Sequence, residues 1–260
     1  MTDSRLFERP GIAIETLIAG QGPLVVMLPS LGRPAQDFDD LARRVVAAGF
    51  TAACIQPRGI GRSSGPMEGQ SLFDLAADTA HVIESLGAPA LVVGHAYGQR
   101  QARALAAARP ELVRAVVLLA AGGKVPVPDE AREALFACFD ATLPPERHLA
   151  NVRKAFFAPG NAASVWRDGW HAATARLQST ATQATPLDAW WGAGRAPLLV
   201  VQALQDAIAL PENGRALKRE FADRVTLVEI NGAGHAMLPE QPEQIAEAVL
   251  AFLDHHTTTK

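Results

Sequence analysis

Gly94-His95-Ala96-Tyr97-Gly98 follows the apolar run Ala90–Val93 and leads into an alanine-rich stretch ending near Arg109-Pro110. The run reads as a strand buried on both faces, and the stretch after it as a helix. Glycines on either side of one residue let strand and helix meet in a sharp turn, which lifts the middle side chain above the sheet in a strained backbone conformation. The N-terminus of the helix then offers free N–H groups to a developing negative charge at the same spot. The turn therefore carries the marks of a nucleophile-bearing junction. Its middle residue, however, is Ala96, which has no lone pair with which to attack.

Outward from this turn, short apolar runs, most of them rich in Val, Ile and Leu, recur at Leu24–Leu28, Thr51–Ile55, Ala115–Leu119, Leu198–Val201 and Val225–Ile230. Between them lie segments of helical period. Leu72, Leu75, Ala76, Thr79, Val82, Ile83 and Leu86 keep one apolar stripe, with Ser71 and Asp74 as a capping box and Gly87 to supply a left-handed end. Phe38, Leu41 and Val45 mark an earlier helix, and Ile245, Ala248, Val249 and Phe252 the last one. Such alternation predicts an α/β fold with a mostly parallel central sheet flanked by helices.

Residues 124–191 interrupt the pattern. They hold all four tryptophans (Trp166, Trp170, Trp190, Trp191) and Phe136, Phe139, Phe156 and Phe157, with no buried-strand run. The expectation is a helical cap over the carboxyl edge of the sheet, where open α/β sheets bind ligands. Residues 1–123 and 192–260 then form the core, and the four tryptophans are candidates to line the substrate pocket.

Downstream of the turn, Asp206 comes shortly after the run Leu198–Val201, and Gly232-Ala233-Gly234-His235 follows the run Val225–Ile230. An acid and then a histidine, each past the end of its own strand, complete a chain order that resembles the α/β-hydrolase family, in its cap-bearing branch of esterases, haloperoxidases and C–C hydrolases. The likeness spans nearly the whole chain and is weakest in the insertion. It implies the α/β-hydrolase fold, Ala96 at the nucleophile position, Asp206 as orienting acid and His235 as base. The oxyanion donors it implies are the backbone N–H groups of Tyr97 and Leu31. Three residues depart from the family pattern: Pro29-Ser30 stand where His-Gly is usual, Gln56 opens a turn otherwise matched by Arg58, Gly59, Gly61 and Ser63, and Ala96 replaces the nucleophile.

Other motifs have plainer readings. Gly59-Ile60-Gly61-Arg62-Ser63-Ser64-Gly65 lacks the third glycine of a dinucleotide fingerprint. Ser30 shapes the oxyanion loop rather than replacing the nucleophile, and His95 packs beside the turn. His81, His148 and His171 have no metal-ligand spacing. Cys54 sits in an apolar run as a core thiol, and with Cys138 makes no disulfide framework. A net charge of −3, no signal-like start and no long apolar span argue against nucleic acid or membrane as partner and place the chain in the cytoplasm. The expected partner is a small-molecule substrate; no cofactor or metal is called for, and a homo-oligomer is left open.

The resulting expectation is an enzyme acting on a small, largely apolar ester, lactone or carbon–carbon substrate, with Ala96 arising by deliberate Ser→Ala change or by natural divergence. Two alternatives stand beside it. In one, His235 and Asp206 work as a non-covalent acid–base pair in a lyase, hydratase or cofactor-free oxygenase. In the other, the chain is a ligand-binding receptor. Keeping both Asp206 and His235 argues against the receptor, which has no use for an acid–base pair.

Overall fold

A computed structural model describes residues 3–87 and 89–258. Its eight strands are β1 (Asp3–Arg9), β2 (Ile12–Ala19), β3 (Leu24–Leu28), β4 (Thr51–Ile55), β5 (Ala90–His95), β6 (Val113–Leu119), β7 (Leu198–Ala203) and β8 (Val225–Ile230). They form one sheet in the order β1-β2-β4-β3-β5-β6-β7-β8. From β4 to β8 every pairing is parallel, while β1 and β2 form an antiparallel hairpin at one edge. All six expected strands are present. The edge hairpin goes beyond them: in β2 only Ile14, Thr16 and Ile18 are buried, and such half-buried alternation differs from the solid apolar runs that mark the sheet's centre.

Helices cover both faces. The described helices are α1 (Asp39–Ala47), α2 (Leu72–Leu86), α3 (Tyr97–Ala108), α4 (Asp129–Ala137), α5 (Pro145–Phe156), α6 (Ala172–Gln183), α7 (Glu212–Glu220), α8 (Met237–Glu240) and α9 (Pro242–Thr258). Strand residues alternate between two cores. Val26 and Leu28 join Leu75 and Ile83 of α2 and Leu105 of α3 on one face. Val25 and Met27 join Leu41 and Val45 of α1 and Val249 of α9 on the other. Ser71 caps α2 reciprocally with Asp74. Gly87 does take positive φ (100°), but its ψ of 110° lies outside the left-handed helical region.

Between β6 and β7 the chain holds α4, α5, α6 and short 3₁₀ turns, with no strand among the described residues. A third apolar cluster ties Leu135, Val152, Phe156 and Trp166 of this segment to Ile208 and Ala236 of the loops after β7 and β8. Because β5, β6, β7 and β8 run parallel and side by side, the loops leaving them share one edge of the sheet. That edge is where the segment packs.

Candidate active site

The turn after β5 has the strained form its glycines anticipate. Ala96 sits at φ 50°, ψ −104°, a conformation unfavourable for any residue with a Cβ. Its N–H donates to Leu119 O at 2.9 Å, which fastens the turn to β6. Both flanking glycines are sterically required: a Cβ on Gly94 would lie 2.4 Å from Gln99 N, and one on Gly98 2.0 Å from Leu28 O. The close approach of α3 to β3 leaves no room for a methyl group. Tyr97 opens α3, so its N–H is among those a helix leaves without an intrahelical partner, and the residue lines the cavity. Leu31, the other implied oxyanion donor, lines the same cavity as Ala96.

Asp206 and His235 meet as the chain order requires. His235 Nδ1 lies 2.9 Å and 3.0 Å from the two Asp206 carboxylate oxygens, and both side chains are buried. Asp206 Oδ1 also accepts the N–H groups of Ile208 and Ala209 at 2.8 Å each. The acid is thus held from two sides, and the imidazole's Nε2 is the nitrogen left for the cavity that His235 and Ala96 both line.

Two further groups, His95 and Glu240, hold the histidine loop. His95 Nε2 is 2.8 Å from the carbonyl oxygen of His235; a carbonyl only accepts, so this nitrogen carries the proton. Complete burial, with the neighbouring His235 and Arg33 acting in the same direction, pushes the His95 pKa down to about 3. His95 is therefore a neutral strut, as its packed reading anticipates. Glu240 of α8 accepts from Gly234 N (2.8 Å), Ala158 N (2.7 Å) and Asn161 Nδ2 (2.6 Å), joining the histidine loop to the end of α5. Burial raises its pKa above the usual carboxylate value. Nothing periodic in the sequence marks Glu240.

The cavity over Ala96 measures about 300 Å³. Its apolar wall comes from Leu31, Val127, Leu135, Phe136, Phe139 and Phe156, and its polar groups include Ser30, Gln99, Arg100 and Ser179. None of the four tryptophans expected there lines it. Trp166 and Trp170 instead pack against the Arg33 guanidinium, at 4.5 Å and 4.7 Å, and Trp190 and Trp191 lie against Arg103 at 4.6 Å and 4.8 Å. The physical reason is that an indole face gains more over a desolvated guanidinium than against an aliphatic wall. The tryptophans thus anchor the segment, while phenylalanines of α4 and α5 face the cavity.

The family-pattern departures are built into hydrogen bonds. Gln56 accepts from Ala35 N at 2.9 Å and donates to Gln36 at 2.9 Å. Ser30 lines the cavity, and no hydrogen bond joins it to His235 among the described residues. Arg58 makes two bonds to buried Asp78, so the turn around it is a brace rather than a ligand site. Cys54 and Cys138 are free and buried, with burial raising both thiols to about 12. Among the described residues no cluster of three or more His, Cys, Asp or Glu is placed to hold a metal, and no helix is long and apolar enough to cross a membrane.

Residues 25–248 match the alpha/beta hydrolase family over most of the chain. The chain belongs to that family. It is 32% identical over 229 residues to a Mycobacterium tuberculosis protein provisionally named non-heme bromoperoxidase BpoC, covering 80% of this chain and 84% of that one. It is 29% identical over 248 residues to a protein of Variovorax paradoxus provisionally named carbamate hydrolase RutD, covering 89% and 92%. The crystal structure of E-2-(acetamidomethylene)succinate hydrolase superposes with a TM-score of 0.80 over 98% of this chain and all of that one; at 24% identity the likeness is one of fold.

Proposed function

We propose that this chain is an α/β-hydrolase-fold enzyme acting on a small substrate with a largely apolar body, bound in the cavity over Ala96 beneath a cap formed by residues 124–191. Ala96 stands at the family's nucleophile position, Asp206 orients His235, and the Leu31 and Tyr97 N–H groups serve as oxyanion donors. The observation that carries this reading is the buried Asp206–His235 pair at 2.9–3.0 Å, whose histidine lines one cavity with a residue held at φ 50°. Strain at a turn and a desolvated acid–base pair are both costly, and together they serve catalysis of this type. An ester, a lactone or an activated carbon–carbon bond fits the site.

With a serine at position 96, the hydroxyl would attack the carbonyl carbon and pass its proton to His235 Nε2, which would then protonate the leaving group. With alanine that covalent route is closed. Ala96→Ser is expected to raise hydrolysis of 4-nitrophenyl butyrate by several orders of magnitude, since loss of such a nucleophile costs about a millionfold. Equal rates for the two proteins would overturn the reading of Ala96 as a vacated nucleophile position.

A second reading rests on Gln56 and its two bonds: a departure so well accommodated favours natural divergence. The dyad would then work without a covalent intermediate, His235 Nε2 taking a proton from water or substrate directly. In that case His235→Ala abolishes turnover of the unaltered chain's own substrate while Ala96→Ser adds little. Unchanged turnover after His235→Ala would overturn the acid–base reading of the dyad.

A further inference from the structure

One cation in the cavity wall has no part in the chemistry above. Arg100 stands in the first turn of α3, where the positive end of the helix dipole disfavours a second positive charge. Arg33, Arg58 and Arg103 are more deeply buried, and each is compensated. Arg33 pairs with Asp37 and Arg58 with Asp78, while Arg103 donates to the carbonyls of Gly122 and Trp191. Arg100 has no such arrangement. Its guanidinium lies 6.0 Å from the centre of the Trp190 ring, and no carboxylate pairs with it among the described residues. Desolvation draws its pKa below the usual guanidinium value, so the charge is held at a cost.

The surroundings of that charge point to a ligand. Arg100 lines the cavity together with Tyr97 and Gln99, and no aspartate or glutamate is among the lining residues. The other arginine in the wall, Arg132, already pairs with Asp129 at 2.6 Å near the exposed rim. The cavity therefore presents one uncompensated positive charge in a mostly apolar chamber.

We propose that Arg100 receives a carboxylate carried by the substrate, while the substrate's apolar body packs against Phe136, Phe139 and Phe156. The proposal deepens the reading of this cavity as the substrate site and rests on it. A single guanidinium fork matches the two oxygens and single charge of a carboxylate. A phosphate monoester, at about −1.5 to −2 near neutral pH, would remain under-neutralised. The cost of holding Arg100 unpaired is then recovered on binding, and neutral analogues of the same shape bind less tightly because they leave the half-buried cation unmatched.

Isothermal titration of the unaltered chain with hexanoate and octanoate, against hexanamide and octanamide, tests this. Each carboxylate is expected to bind about tenfold or more tightly than its amide, the scale of a charge-assisted hydrogen bond. Arg100→Gln should erase the preference and leave amide affinity within about twofold of the unaltered chain's. Should the glutamine variant fail to fold, Arg100→Lys decides, expected to weaken carboxylate binding and spare the amides. Equal binding of acid and amide, no binding of either carboxylate, or equal losses for acids and amides in Arg100→Lys would overturn the proposal. So would a preference that survives Arg100→Gln and vanishes in Arg132→Gln. Failure of the hydrolase reading would show as an inert Ala96→Ser protein and would leave these affinities where they are.

Discussion

One added carbon at Gly98 would come within 2.0 Å of a backbone oxygen, whereas a Cβ at Gly160, in the segment between β6 and β7, would meet nothing within 4 Å. The turn at 94–98 is dictated by backbone contacts, which no neighbouring side chain can relieve by moving. The segment 124–191 is held by side chains: indoles on guanidiniums, and the apolar cluster around Phe156 and Trp166. The first kind of constraint admits one residue type and is readable from spacing. The second has many equivalent solutions, so composition alone does not say which aromatic goes where.

The sharpest way to break that contrast is the same substitution in both regions. Gly98→Ala is expected to cost more than about 3 kcal/mol in urea unfolding, since α3 must move away from β3. Gly160→Ala should cost only about 1 kcal/mol, from its φ of +93° alone. Comparable losses would show that the turn is less tightly fixed than its geometry implies.

An intermediate effect is expected at His95, where the core meets the histidine loop. Its pKa falls from 6.5 to about 3 on burial, so between those values the unfolded chain holds a proton that the folded chain rejects. Stability is therefore present above pH 6.5 and lost as the pH falls through that window. Near pH 5 the loss from this residue is about 2 kcal/mol. His95→Gln keeps an N–H for the His235 carbonyl and removes the titration. Its stability should fall less steeply than that of the unaltered chain between pH 8 and pH 5, and parallel profiles would refute the assignment.

The smallest effect on stability belongs to Phe136, which is 53% exposed although it lines the cavity. Phe136→Ala should change unfolding free energy by no more than about 0.5 kcal/mol. Octanoate binding should nevertheless weaken about fivefold, the share expected of a half-buried ring. A variant that loses stability but not affinity would make Phe136 a packing residue.

How much of the site was legible follows the same division. Ala96, Asp206 and His235 could be placed because each follows a short strand recognisable by its largely apolar run. Parallel strands necessarily bring such loops to one edge. The His95 strut was legible as packing, though not its bond to the His235 carbonyl. Glu240 left no signal, because a carboxylate on a four-residue helix looks like any surface acid until three N–H donors converge on it. Arg100 did leave one: a cation in the first turn of a helix runs against the dipole, an anomaly visible in the residues alone.

Sequence by itself therefore determined the six strands of the core, the strained turn and the Asp206–His235 pair. These rest on local rules, namely buried-strand composition, glycine spacing and the order of loops after parallel strands. Only the tertiary structure decided which aromatics face the cavity and that Arg100 stands there without a carboxylate. Both depend on which side chains from distant stretches find one another, and a guanidinium can be satisfied by an acid, a carbonyl or an indole at many positions along the chain. Arg33 and Arg103 found such partners within the fold; Arg100 faces a cavity lined by no acid of its own.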